Sequence, residues 1–162
     1  MVIANPLKFG ISSDRGFLPV ENPSSKLAFT NIPKFLAARQ MSLVVKEFEE
    51  LPREFVENMS QPELDNRMRD LSFIAHAYIH EDPKNRRDSI PVNLARSWYN
   101  LSQRLGRPPI LSYKPYALDN WYLIDPGGSI ELGNLALINN FYGGLDEEWF
   151  VLPHVVIEAK AA

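Results

Sequence analysis

The stretch Ser60-Gln61-Pro62-Glu63 constrains this chain most. A serine three residues before a glutamate is a capping box, in which the Glu63 carboxylate reaches back to the Ser60 amide. Leu64, Met68, Leu71, Ile74, Ala75 and Tyr78 then recur at steps of three and four. That spacing predicts one long amphipathic helix with a single apolar stripe. A stripe of this kind must be covered by other elements, so helices packed on helices are the expected architecture.

The flanking segments support the same reading. Four prolines in residues 1–33, at Pro6, Pro19, Pro23 and Pro33, predict an extended N-terminal arm over residues 1–32. Phe9, Phe17, Leu18, Leu27 and Phe29 would pin that arm to a core. A helical domain is then expected over 33–162. Residues 33–51 read as a helix with Pro33 in its first turn, and Pro52 ends it or starts a new turn. Pro91 opens a helix with Leu94, Trp98, Leu101 and Leu105 on its buried face, closed by Gly106 and Pro108-Pro109. The aromatic stretch at 110–125 lacks clean alternation, and Pro115 argues against a central strand, so a short helix is expected from about 115 to 123. Leu132, Leu135, Leu137, Ile138 and Phe141 suggest a helix ended by Gly143-Gly144. Asp146 is expected to cap a last helix, with Glu147 and Glu148 in its first turn. The fold class is therefore all-α.

Composition narrows the function. The 162 residues suit one domain, and a 45% hydrophobic content is enough for a core. A net charge of −3 offers no basic footprint for nucleic acid. Without cysteine there is no disulfide framework, thiol nucleophile or cysteine metal site. No apolar run approaches the roughly 20 residues of a membrane helix, and the N-terminus lacks the pattern of a signal peptide. A soluble, cytoplasmic protein is expected, with no partner role for membranes or nucleic acid.

Three histidines are present, at 76, 80 and 154. His76 and His80 share a helix face, a spacing that zinc can use. Ala77 stands where a zinc protease motif needs glutamate, and the better reading is a core hydrogen bond for His76 and a helix-end position for His80. No nucleophile elbow, phosphate loop or dinucleotide fingerprint occurs. On the last helix Phe150, His154 and Glu158 stack one turn apart. His154 either pairs with Glu158 on the helix flank or offers a polar group to an aromatic pocket. Pro153, which lacks an amide hydrogen, sits beside it.

Four segments carry a resemblance: "DRGFLP", "LSFIAHAYIHED", "IPVNLARSWYNLSQRLGRPPILSYKPYALDNWYLID" and "GGLDEEWFVLPHVVIEAKA", in that order. Together they resemble the N-terminal region of the indoleamine 2,3-dioxygenase family from about residue 9 to the end. The resemblance implies the helical small domain of an all-α haem dioxygenase. Such enzymes open the indole ring of L-tryptophan or related indoleamines with O2, giving N-formylkynurenine. It implies b-type haem between a small domain, which roofs the distal side, and a large C-terminal domain, which supplies the proximal histidine. Tyr113 and Tyr116 match positions lining the indole side of the pocket. Phe150 matches the aromatic that packs on the substrate ring. His154 matches a distal polar position that is serine in animal members and histidine in other branches. It would orient substrate or accept a proton and would not ligate iron. Pro153 departs from the family, where an aliphatic residue is expected. The haem-ligating region and the arginine for the substrate carboxylate are not in this sequence. The chain is accordingly expected to be an inactive fragment or split subunit that does not hold haem alone. It would associate with the missing C-terminal domain, or with itself, through an exposed apolar face. The alternative expectation is a non-catalytic helical binding or interaction module.

Overall fold

The computed structural model describes residues 31–161, so the N-terminal arm expected over 1–32 lies almost wholly outside the described residues. The described chain is predominantly helical, as the sequence predicts. Its helices are α1 (Ile32–Ala37), α2 (Met41–Lys46), α3 (Arg53–Glu57), α4 (Gln61–His80), α5 (Val92–Leu105) and α6 (Leu145–Ala161). A π-helical turn spans Lys114–Leu118, and a small antiparallel hairpin joins β1 (Trp121–Leu123) to β2 (Leu135–Leu137). No helix of the described residues is long and apolar enough to cross a membrane.

The capping box forms at the start of α4: the Ser60 amide and hydroxyl both donate to a Glu63 oxygen, at 2.8 and 2.6 Å. These bonds hold the Glu63 carboxyl below its ordinary range. Leu64, Met68, Leu71, Ile74 and Ala75 are buried, with Tyr78 packed at the margin. Helix α5 crosses α4 with Leu94, Trp98 and Leu101 inward. It ends at Gly106, whose φ of 63° is the left-handed conformation that glycine adopts without steric cost. The other edge of α5 is polar and holds the chain around α2. Asn93 donates to the carbonyls of Val45 and Phe48, Asn100 donates to that of Leu51, and Ser97 accepts from the Leu51 amide.

Three expectations are corrected. The helix expected over 33–51 is two short helices broken at Ala38–Gln40, where Arg39 takes a φ of 54°. The Met41 amide that would continue the first helix donates instead to the Glu81 carboxylate, 40 residues away. The helix expected over 115–123 stops at Leu118, and Trp121–Leu123 is a strand. The helix expected over 132–141 does not form. Gly133 sits at φ 96°, outside helical space, and Leu135 and Leu137 point to the core from a strand. Asn120 extends that ladder with its side chain. Its Nδ2 donates to the Asn139 carbonyl and its Oδ1 accepts from the Asn139 amide, each at 2.8 Å.

Two cores result. The first is enclosed by α1–α5. The second lies between the π-turn, the hairpin and α6, around Ala117, Trp121, Leu137, Val151 and Val155. A buried polar cluster ties them. Asp70 accepts from its neighbour Arg69 and from Asn139 Nδ2, each at 2.8 Å. Arg69 also donates to Asn66 Oδ1 and to the Asp119 carbonyl, at 2.8 and 3.0 Å. A buried ion pair is tolerable only when its remaining donors and acceptors are filled in this way. Lys114 then spans the π-turn to Asp119 at 2.6 Å, with Asp65 at 3.7 Å on its other side.

Candidate functional site

Tyr113, Tyr116, Phe150 and His154 come from two segments separated by more than 30 residues, and the fold brings all four together. Phe150 and His154 lie one turn apart on α6, with ring centroids 5.1 Å apart. Tyr113, just before the π-turn, meets His154 edge-on at 6.0 Å. Tyr116, inside the turn, meets Phe150 at 6.3 Å. Behind Tyr116 stand Phe73 of α4 at 5.8 Å and Phe141 at 6.4 Å, both stacked on it. Tilted and edge contacts in this distance range are favourable because ring edges are positive and ring faces negative. The result is a continuous aromatic wall running from the first core to the surface.

The imidazole is oriented by its own helix. His154 Nδ1 donates to the Phe150 carbonyl at 2.5 Å. In the neutral ring that leaves Nε2 as a free acceptor. No ion pair joins His154 to Glu158 among the described residues, so the flank pairing does not form. Glu158 instead acts on Tyr113, whose phenol is pushed up first by burial and then by that charge. Tyr116 is pushed up to about 12, mainly by burial, then by the charge and hydrogen bond of Glu147.

Glu147 is the residue that sequence reasoning missed. It is buried at the start of α6, where it accepts from the amides of Phe141 and Tyr142 at 2.8 and 3.2 Å and from the Tyr116 hydroxyl at 3.5 Å. Asp146, expected as the cap, is exposed in the first turn of a helix that begins at Leu145. A signal was present: Glu147, Val151 and Val155 fall at steps of four, so this carboxylate shares the buried face.

The rest of α6 is unusual. It buries Val151, Leu152, Val155 and Val156, while Leu145, Trp149, Phe150 and Ile157 are exposed. Trp149 is 74% exposed and Phe150 56%. These side chains add apolar surface to a helix that also carries Asp146, Glu148, Glu158 and Lys160 outside its core face.

His76 and His80 behave as structural residues. His76 Nδ1 donates to the Ser72 carbonyl at 2.9 Å, and its ring packs edge-on against Trp98. Burial holds its basicity below the ordinary range, opposed by that hydrogen bond and aided by His80. No group of three or more histidine, cysteine, aspartate or glutamate side chains suited to a metal occurs among the described residues.

Fold and wall together define a helical domain with one open aromatic face and a single imidazole on it. The indoleamine 2,3-dioxygenase family model matches residues 5–162, and the chain belongs to that family. It is 31% identical to rat (Rattus norvegicus) indoleamine 2,3-dioxygenase 1, over 96% of this chain and 40% of the relative. It is 29% identical to human (Homo sapiens) indoleamine 2,3-dioxygenase 2, over 94% of this chain and 39% of the relative. A Saccharomyces cerevisiae indoleamine 2,3-dioxygenase is 37% identical over 54% of this chain and 20% of its own length. The chain thus spans about two fifths of the length of the two mammalian relatives.

Proposed function

We propose that this chain is the distal-side part of a haem-dependent dioxygenase that opens the indole ring of L-tryptophan or a related indoleamine with O2, giving N-formylkynurenine. The observation that carries the reading is the open wall of Tyr113, Tyr116 and Phe150 with the His154 imidazole set into it. An aromatic surface that carries an imidazole suits the distal face of a haem and a planar indole. The described residues offer no second imidazole there to hold the iron from the other side, so they fit the group as a roof and not as a cradle.

Haem, when bound, supplies the activation of O2. The chain's own residues do the rest. Phe150 and Tyr116 present rings for an indole to pack on. Tyr113 closes the edge beside the imidazole. His154 Nε2 is the acceptor for the indole N1–H, and its Nδ1–H, tied to the Phe150 carbonyl, keeps the ring from turning. His154 is thus an orienting or proton-accepting group. The exposed face of α6 is the surface on which a haem-ligating C-terminal domain would close, in the cytoplasm.

That exposed face also favours a second reading: a non-catalytic helical module or split subunit that associates through Leu145, Trp149 and Ile157. A haem titration of the purified chain, read at the Soret band with and without L-tryptophan, tests the first reading. The expected result is no stoichiometric shift from this chain alone, and a tryptophan-sensitive shift once a haem-ligating domain of the family is supplied. A saturable one-to-one shift of the isolated chain, lost in His154→Ala, would make His154 an iron ligand and overturn the distal assignment.

A further inference from the structure

We infer that Glu147 is a positioning residue for the candidate site: it takes up the Tyr116 hydroxyl and fixes that side chain as a ring surface, leaving the Tyr113 hydroxyl and the His154 imidazole as the polar groups of the wall. The inference rests on the reading above for the identity of the wall, but its test requires neither haem nor substrate.

The geometry joins three segments at one carboxylate. Glu147 lies on α6, one turn before Phe150 and Val151. Its Oε2 accepts from two consecutive backbone amides, Phe141 and Tyr142, and its Oε1 faces the Tyr116 hydroxyl. Two amides pointing at one oxygen fix where the carboxylate sits. Phe141 is itself stacked on Tyr116 and on Phe73, at 6.4 and 4.8 Å. Glu147 therefore holds Tyr116 twice, directly at its hydroxyl and indirectly through Phe141. With only 8% of its surface exposed, Glu147 has little access to water in place of these partners.

The consequence is chemical. A phenol whose O–H is turned to a carboxylate does not offer that proton outward, and ionising it would put two negative charges side by side. The groups that bear on the Tyr116 hydroxyl are Glu147 from α6 and Tyr142 from the preceding loop, and both oppose phenolate formation. Tyr116 thus contributes its ring and withholds its hydroxyl. Among the described residues, the polar groups the wall keeps available are then the Tyr113 hydroxyl and the His154 imidazole.

The test uses the 162-residue chain with 13C-labelled tyrosine rings, titrated by NMR up to about pH 11, with Tyr116→Phe to assign the signal. In the wild type, Tyr116 should still be largely protonated well above the ordinary phenol value of 10. In Glu147→Gln its titration should move down by about one unit, the scale of losing a neighbouring like charge. Amide exchange at Phe141 and Tyr142 should quicken in the same variant. Faster exchange with an unmoved Tyr116 would reduce Glu147 to a loop cap and overturn the inference. Tyr116 ionising near the ordinary phenol value of 10 in the wild type would overturn it as well. Should Glu147→Gln fail to fold, Glu147→Asp decides. It keeps the charge but draws the carboxylate back from the hydroxyl, and Tyr116 must then titrate lower than in the wild type. Failure of the dioxygenase reading would show in the haem titration and leave these tyrosine shifts intact.

Discussion

The two cores of this molecule are built from the same kinds of side chain but are finished differently. The first is closed: α4 is wrapped by α1, α2 and α5, and the polar edge of α5 is tied down by Asn93, Ser97 and Asn100. The second is covered on one side only. Helix α6 seals the hairpin with Val151, Leu152, Val155 and Val156, then turns Trp149, Phe150 and Ile157 outward. A chain optimised for solubility alone would place charges there, since exposed apolar area of this kind promotes association. The difference separates residues that hold the fold from residues that face something else, and the wall of Tyr113, Tyr116, Phe150 and His154 lies on the open side.

The sharpest way to break that contrast is to remove a side chain that only the second core needs. Trp121 is wholly buried between the π-turn and α6, and its Nε1 donates to the Leu118 carbonyl. Trp121→Ala should cost about 3–5 kcal/mol in urea denaturation. A loss no larger than that of a surface substitution would show that the second core adds little stability. Next in size is the tie between the cores. Asp70→Asn keeps the volume but removes the charge that Arg69 and Asn139 both address, and should cost about 2 kcal/mol. If the tie works as described, near-ultraviolet circular dichroism should change at Trp121 as well as at Trp98. A change confined to one core would deny the coupling.

The pH dependence gives a smaller effect with a definite sign. Tyr116 has a folded pKa of about 12, above the ordinary value of 10. The folded state therefore keeps its proton longer than the unfolded state, and this contribution is fully present below pH 10 and is lost as pH rises towards 12. Tyr116→Phe should flatten that part of the stability curve. The smallest effect belongs to the open face. Trp149→Ser should change monomer stability by no more than about 0.5 kcal/mol, while weakening any association that analytical ultracentrifugation detects. A large destabilisation would mean that Trp149 is a core residue after all.

Much of the closed core was legible because its signals are local. The Ser60–Glu63 box, the stripe from Leu64 to Tyr78, and Gly106 after Leu105 each need only a few neighbouring residues to specify a helix. The failures share a physical cause in distant partners. The break at Arg39 depends on Glu81, which lies near in space and 40 residues away in the chain. The hairpin was read as helix because the apolar positions from Leu132 to Phe141 fit steps of three and four as well as alternation, and only Gly133 and the Asn120–Asn139 pairing decide between them. For the site, helical spacing alone places Phe150 beside His154. That Tyr113 and Tyr116 join them followed from the family resemblance, since pairing the π-turn with α6 is a tertiary fact. The Glu147 contact with Tyr116 could be foreseen from neither.

The bond between Asp70 and Asn139 spans 69 residues of sequence. Contacts that close so long a loop form slowly, because chain entropy is lost before the contact compensates for it. Helix α4 needs no such closure. The order of folding is expected to run from α4 outward, with the hairpin and α6 docking last onto a surface already in place. Pulse-labelled hydrogen exchange should protect the amides of Leu71–Ala75 before those of Leu135–Leu137, and the reverse order would contradict this. The open helix would then be the last of the described segments to settle, and the one a folding partner has the longest time to meet.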